Sequence, residues 1–183
     1  RSTLEMSLEG MLDHLSLHAN WDLGPTLLAY TPYFTKPKDV PLNLTFDLVL
    51  KDRKVLAGDF SAKIQEAVLK GTLTDFDIHS GKGQLNMITN KFSLAGWEPI
   101  LPPFENYTLQ GEVKILANLT GDFIHRPHEV QRMLHFTMEN GDIVSKKGGL
   151  GPHQIFFTLD YGAIAIETKE ARFKVGDSPV SLT

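Results

Sequence analysis

Residues 107–123 read YTLQGEVKILANLTGDF, and this stretch decides the fold. Its odd positions are Tyr107, Leu109, Gly111, Val113, Ile115, Ala117, Leu119, Gly121 and Phe123. The even positions Thr108, Gln110, Glu112, Lys114, Asn118, Thr120 and Asp122 are polar, and only Leu116 breaks the rule. Successive side chains of a strand point to opposite faces, so the pattern predicts a half-buried β-strand with one dry face and one wet face. A helix would scatter the same residues around its whole circumference. At a rise of about 3.3 Å per residue the stretch reaches roughly 55 Å if unbroken, far beyond a usual strand of about 5–6 residues. It must bend near Gly111 or Gly121, or belong to an unusually wide sheet. It carries no catalytic motif, and what it offers is an extended apolar surface.

The same period recurs along the chain. Leu4, Met6 and Leu8 alternate with Glu5, Ser7 and Glu9, and Leu15 to Leu23 continue the rhythm until Gly24-Pro25 interrupts it. Leu42, Leu44, Phe46, Leu48 and Leu50 form a second clean strand, followed by the charged turn Lys51-Asp52-Arg53-Lys54. Between these strands, residues 28–41 hold Pro32, Pro37 and Pro41, which predicts a loop. Residues 61–71 (SAKIQEAVLKG) fit a capped helix or a strand with a one-residue slip at Ala67 or Val68. Close flanking strands favour the strand. Residues 95–104 (AGWEPILPPF) leave the alternation, and their prolines exclude a central strand. Trp97 and Leu101 there still need burial, which predicts a plug folded over the dry face near Phe92 or Leu94. Residues 126–134 predict a short helix opened by Pro127. Strand signals return at Phe136, Met138 and Ile143, at Ile155, Phe157, Leu159 and Tyr161, and at Ile164 and Ile166. Glycines at 71, 81, 111, 121, 141 and 151 suggest a strand-plus-turn unit of about ten residues. The fold class expected is mainly β: an extended, curled antiparallel sheet of repeated strand-turn units, groove-like, with at most two short helices. The dry face is assigned to Leu44, Phe46, Leu48, Leu109, Val113, Ile115, Leu119, Phe157 and Leu159.

Composition narrows the function. A chain of 183 residues with 42% hydrophobic content supports a folded domain rather than disorder. A net charge of −4 lacks the basic footprint of a nucleic-acid binder. Cysteine is absent, which excludes disulfides and thiolate metal sites. No apolar run is long enough for a membrane-spanning helix. The chain enters alternation at once after Arg1 and ends in PVSLT, so both ends read as cuts inside a longer sheet-rich protein.

Chemical motifs fail on inspection. Residues 75–81 (DFDIHSG) start like a calcium loop but lack the third ligand, and their glycine comes one residue late. His125-x-x-His128 with Glu129 and His135 is not a zinc-protease motif and lacks a fourth ligand. Gly176-Asp177-Ser178-Pro179 has a serine-protease flavour without the accompanying histidine motif, and a capped turn accounts for it. Gly81-Lys82-Gly83 and Lys147-Gly148-Gly149 lack the spacing of a phosphate-binding loop. His14 and His18 share a wet face and read as solvated. Asn43, Asn106 and Asn118 open glycosylation sequons that Thr-rich strands also produce by chance. No cofactor, metal or catalytic residue is assigned.

Four segments carry a resemblance: LKGTLTDFDIHSGKGQLNM, KFSLAGWEPILPPF, the 107–123 stretch and LHFTMENGDIV. Together they resemble the C-terminal region of the AsmA-like family, best over residues 68–144. The shared features are a Trp-Pro-Leu-Pro type connection at 97–102, the Leu109-x-Gly111-x-Val113 alternation and the turn at Asn140-Gly141-Asp142. The proline-rich 31–41 loop and residues 61–70 depart from the pattern. The resemblance implies one β-rich segment, residues 1–183, of a longer periplasmic protein of Gram-negative bacteria. That protein would be anchored to the inner membrane through a segment outside this chain. It further implies a groove for phospholipid acyl chains, a part in lipid transport between the membranes and in outer-membrane integrity, contacts with other envelope proteins, and no enzymatic activity. A structural or adhesive β-repeat with a self-covered core is the alternative, and an enzyme comes last.

Overall fold

A computed structural model describes residues 2–11, 14–30, 32–52, 54–149, 151–162 and 166–182. The expected features at Arg53 and Ile164 lie outside these residues. The strands are β1 (Thr3–Met11), β2 (His14–Asp22), β3 (Leu28–Tyr30), β4 (Phe34–Lys36), β5 (Leu42–Lys51), β6 (Lys54–Ile64) and β7 (Ala67–Asp77). They continue with β8 (Lys82–Thr89), β9 (Phe92–Ser93), β10 (Tyr107–Asp122), β11 (Gln131–Ser145), β12 (Pro152–Tyr161), β13 (Ile166–Val175) and β14 (Ser178–Leu182). Twelve of them build one antiparallel sheet in the order β1-β2-β5-β6-β7-β8-β10-β11-β12-β13-β14, with β9 paired to β10 beyond the end of β8. The sheet is slightly curled and does not close. The fold is therefore mainly β, as the alternation required.

The pairing register turns the period-two pattern into one continuous face. Met6, Ala19, Phe46, Phe60, Gly71, Met87, Ala117, Leu134 and Tyr161 lie opposite one another in succession, forming a row across the sheet. A parallel row starts with Leu4, Trp21, Leu44, Ala62, Leu69 and Thr89. Directly paired residues share a face, so the dry faces of successive strands merge. Ten inter-strand spacings of about 4.8 Å make the sheet roughly 48 Å wide.

β10 runs unbroken for 16 residues. It adjusts at Gly111, where the register with β11 shifts and φ is +112°. A Cβ on Gly111 would come within 2.6 Å of the Gly141 backbone, so glycine is required there on two counts. Gly71 is required for another reason. The Phe60 ring lies across it, and a Cβ would meet that ring at 2.1 Å.

Four local expectations need correction. Residues 61–71 are not one slipped strand but a hairpin: β6 ends at Ile64, Gln65 takes φ +49°, and Ile64 pairs with Ala67. The phase slip is the chain reversing direction, hidden because the turn lacks glycine or asparagine. The 28–41 loop contains the small hairpin β3–β4, and its prolines stand outside those strands. The 126–134 helix reduces to a 3₁₀ turn at Pro127–Glu129, because Gln131 onward has its backbone groups in the ladder with β10. A second 3₁₀ turn spans Pro102–Phe104. The ten-residue glycine repeat is not a turn repeat, since Gly71, Gly111, Gly121 and Gly141 all lie within strands.

Candidate functional site

An apolar site lies on the dry face between β9–β12 and the segment 94–104. That segment is held by short-range turns: Trp97 N–H donates to Leu94 O (3.1 Å), Ile100 N–H to Trp97 O (2.9 Å) and Phe104 N–H to Leu101 O (2.8 Å). Three prolines, Pro99, Pro102 and Pro103, need no donor partner and limit the backbone. Leu94 N–H donates to Gly111 O at 2.9 Å, tying one end to the bulge of β10. Buried Glu98 supplies the second tie: its Oε1 accepts the Leu109 N–H at 2.7 Å, satisfying an amide that the sheet leaves unpaired. Trp97 stacks obliquely on Phe92 with ring centroids 5.1 Å apart, and Ile100 is completely buried.

The β3–β4 insertion supports this segment from outside. Thr35 N–H donates to Ile100 O at 2.8 Å, and Phe34 and Val40 pack against the same core. Fully buried Lys36 donates through Nζ to Gly24 O (2.9 Å) and Pro37 O (2.8 Å), fastening the insertion to itself.

Beneath the segment lies a cavity of about 340 Å³ lined only by apolar side chains, among them Trp97, Leu101, Phe104, Leu109, Ile143 and Phe157. A neighbouring cavity of about 340 Å³ continues over β12–β14 and shares Ile155 and Phe157 with the first. Of the residues assigned to the dry face from sequence, Leu109, Val113, Ile115 and Phe157 line the first cavity and Leu159 the second. Leu119 lies lower on β10, half-buried and paired with Leu85 and Arg132. Leu44, Phe46 and Leu48 occupy the same face in the other wing, half-buried, with the Phe46 and Phe60 rings 6.5 Å apart. Trp97 and Leu101 both line the first cavity, above the sheet. Sequence reasoning missed Phe34, Val40 and Glu98. A carboxylate inside an apolar, proline-rich run gives no advance sign of the amide it will accept.

The cavity presents carbon, hydrogen and the Met138 sulfur to its contents, so it can hold an aliphatic chain by dispersion and exclusion of water. Polar clusters lie elsewhere. Asp77 accepts the amides of His79 and Ser80, and Asp122 those of Ile124 and His125, so both carboxyls titrate below their ordinary value, chiefly because of the Ser80 and His125 N–H groups respectively. The Asp77 bonds cap the turn that follows the end of β7. His125 Nδ1 lies 3.1 Å from Ser80 O, and His128 faces Glu129. Ser178 opens β14 after a turn at Gly176. His18 lies 2.5 Å from Asp47 across the strands. On the wet face, Thr137 Oγ1, His135 and Asp160 follow in hydroxyl–imidazole–carboxylate order at 3.3 and 2.5 Å. They lie on open, mutually paired strands, whose amides are committed to the ladder and are not free to form an oxyanion hole. Among the described residues, no helix is long and apolar enough to cross a membrane, and no group of three His, Asp or Glu side chains is placed to share a metal ion.

Comparison with protein-family models, with characterised proteins and with solved structures finds no match to this chain.

Proposed function

We propose that the chain is a non-enzymatic lipid-holding segment whose dry face takes phospholipid acyl chains. One observation carries the reading: a single apolar face crosses the whole sheet, and the inserted segments cover only part of it. Leu4, Met6 and Leu8 remain 55%, 60% and 54% exposed on that face, while the cavity under Trp97 is lined by apolar groups alone. Unpartnered apolar strips of this extent mark interaction surfaces. Each acyl CH₂ removed from water there contributes about 0.8 kcal/mol. The sequence resemblance to the AsmA-like family points the same way, toward lipid movement between the membranes of a Gram-negative envelope.

The test is direct. Protein purified from a Gram-negative host is extracted and its lipids are weighed by mass spectrometry. Brominated phosphatidylcholine is then titrated against Trp97 fluorescence in a Trp21→Phe background. Co-purified phospholipid and quenching of Trp97 are expected, with Leu8→Glu weakening uptake without unfolding the sheet. Lipid-free protein whose Trp97 ignores the bromine label overturns the reading. The completely buried Ile100 favours a second reading, a self-covered structural repeat, and that outcome would select it.

A further inference from the structure

The opposite face holds a groove of about 550 Å³ across β5, β6, β7, β8 and β10. It contains Leu116, the one exception to the alternation of residues 107–123. Leu116 pairs with Ile88, itself 42% exposed, so two aliphatic side chains lie side by side on the wet face. Beside them runs a row of directly paired residues: Asp47, Asp59, Thr72, Asn86 and Asn118. Four spacings of about 4.8 Å give this row a length of roughly 19 Å.

The alternation calls for polar residues on this face, but not for these charges. Asp47 and Asp59 are direct cross-strand partners, an arrangement of like charges that destabilises a sheet. Several other wet-face charges are matched: Lys91 with Glu112 and Glu139, His135 with Asp160, Lys169 with Glu167, and Arg172 with Glu170. In the groove only Asp47 has a partner, His18. Among the described residues, the side chains of Asp59, Lys70, Thr72, Asn86 and Asn118 make no hydrogen bond within the protein.

We propose that this groove binds a neutral, hydroxyl-rich chain, an oligosaccharide lying across the strands. The carboxylates only accept hydrogen bonds, Lys70 only donates, and the Asn and Thr side chains do both. Hydroxyl groups satisfy all three kinds along one ligand. An anion meets two carboxylates, and a purely aliphatic chain strips water from polar groups without replacing it. A sugar ring turns its C–H face to Ile88 and Leu116 and its hydroxyls to the row. The inference stands apart from the lipid reading, because the two sites occupy opposite faces.

The experiment is an NMR titration of ¹⁵N-labelled protein with chitohexaose, cellohexaose and maltohexaose. Phosphatidylcholine vesicles with and without digalactosyl lipid form a second arm, for a sugar presented as a lipid headgroup. Saturable shifts confined to the amides around Thr72, Asn86, Ile88, Leu116 and Asn118 are expected with at least one sugar. Binding only to the glycolipid assigns the sugar to a lipid head. Asn86→Leu and Asn118→Leu, at exposed strand positions, are each expected to weaken binding about tenfold, the worth of one hydrogen bond at a desolvated site. Leu116→Ser removes part of the floor and weakens it further. Asn118→Leu leaves bromine quenching of Trp97 unchanged, so the two sites fail separately. Absence of shifts with every oligosaccharide and with the glycolipid vesicles, shifts on the dry face, or shifts indifferent to all three substitutions overturns the proposal.

Discussion

The two wings of the sheet share one alternation and differ in what lies over it. On β10, Leu109 and Val113 are 2% and 1% exposed, whereas on β1 the equivalent dry-face residues Leu4, Met6 and Leu8 are more than half exposed. Both wings read apolar-polar in sequence, and both pair in register. The difference comes from the 94–104 segment and the β3–β4 insertion, which pack over the first wing and leave Leu4, Met6 and Leu8 exposed. A strand pattern therefore states which face is dry, and the connections decide whether it is covered.

The sharpest way to break this comparison is to place one charge in each wing. Val113→Asp buries an unpaired carboxylate and is expected to cost on the order of 4 kcal/mol or more. Met6→Asp, on the same face of the open wing, should stay within about 0.5 kcal/mol of the parent. Urea unfolding measures both, and equal losses would abolish the distinction. Next in size, Trp97→Ala is expected to lose about 3–5 kcal/mol, since the ring is buried against Phe92. In lipid-free protein with Trp21→Phe, iodide should quench Trp97 poorly; free quenching would mean that the plug does not seat. Glu98→Ala leaves the buried Leu109 amide without an acceptor and should cost about 1–3 kcal/mol, with Leu109 amide exchange accelerating more than that of Met6. The smallest effect is one of pH at the far end of the sheet. The Asp77 and Asp122 carboxyls are depressed in the fold, so their contribution is complete above about pH 4 and is lost as pH falls through their lowered values. The Ser80 and His125 amide resonances should move in that acid window, as Asp77 and Asp122 take up protons.

Much of the fold was legible because a two-residue period leaves few choices. Residues 107–123 predicted a long strand, and Gly111 is where the backbone adjusts. Trp97 and Leu101 marked a segment that had to leave the sheet and still find burial. What stayed hidden lacked local chemistry. The Gln65-Glu66 turn reverses the chain without the usual glycine or asparagine, so hairpin and slipped strand look alike in sequence. The β3–β4 hairpin was masked by flanking prolines. The cavity depends on Phe92, Val113, Phe136 and Ile155 meeting across distant segments, and the register of β9 to β12 brings them together. The wet-face groove had one advance sign, Leu116, whose neighbour Ile88 becomes visible only once β8 and β10 are paired.

The order of strands along the sheet has a kinetic consequence. Apart from the two insertions, each strand pairs only with its neighbours in the chain, so the molecule is a linear series of hairpins. Such a series opens one unit at a time, like a repeat array. The insertions cross-link its centre, tying residues 35 and 100 and residues 98 and 109, while the outer strands β1 and β14 each pair in the sheet with one neighbour, β2 and β13. Opening therefore spreads more easily through the outer strands than through the cross-linked centre, and amide protons along the sheet should record that gradient as a ladder of exchange rates from His18 to Val113.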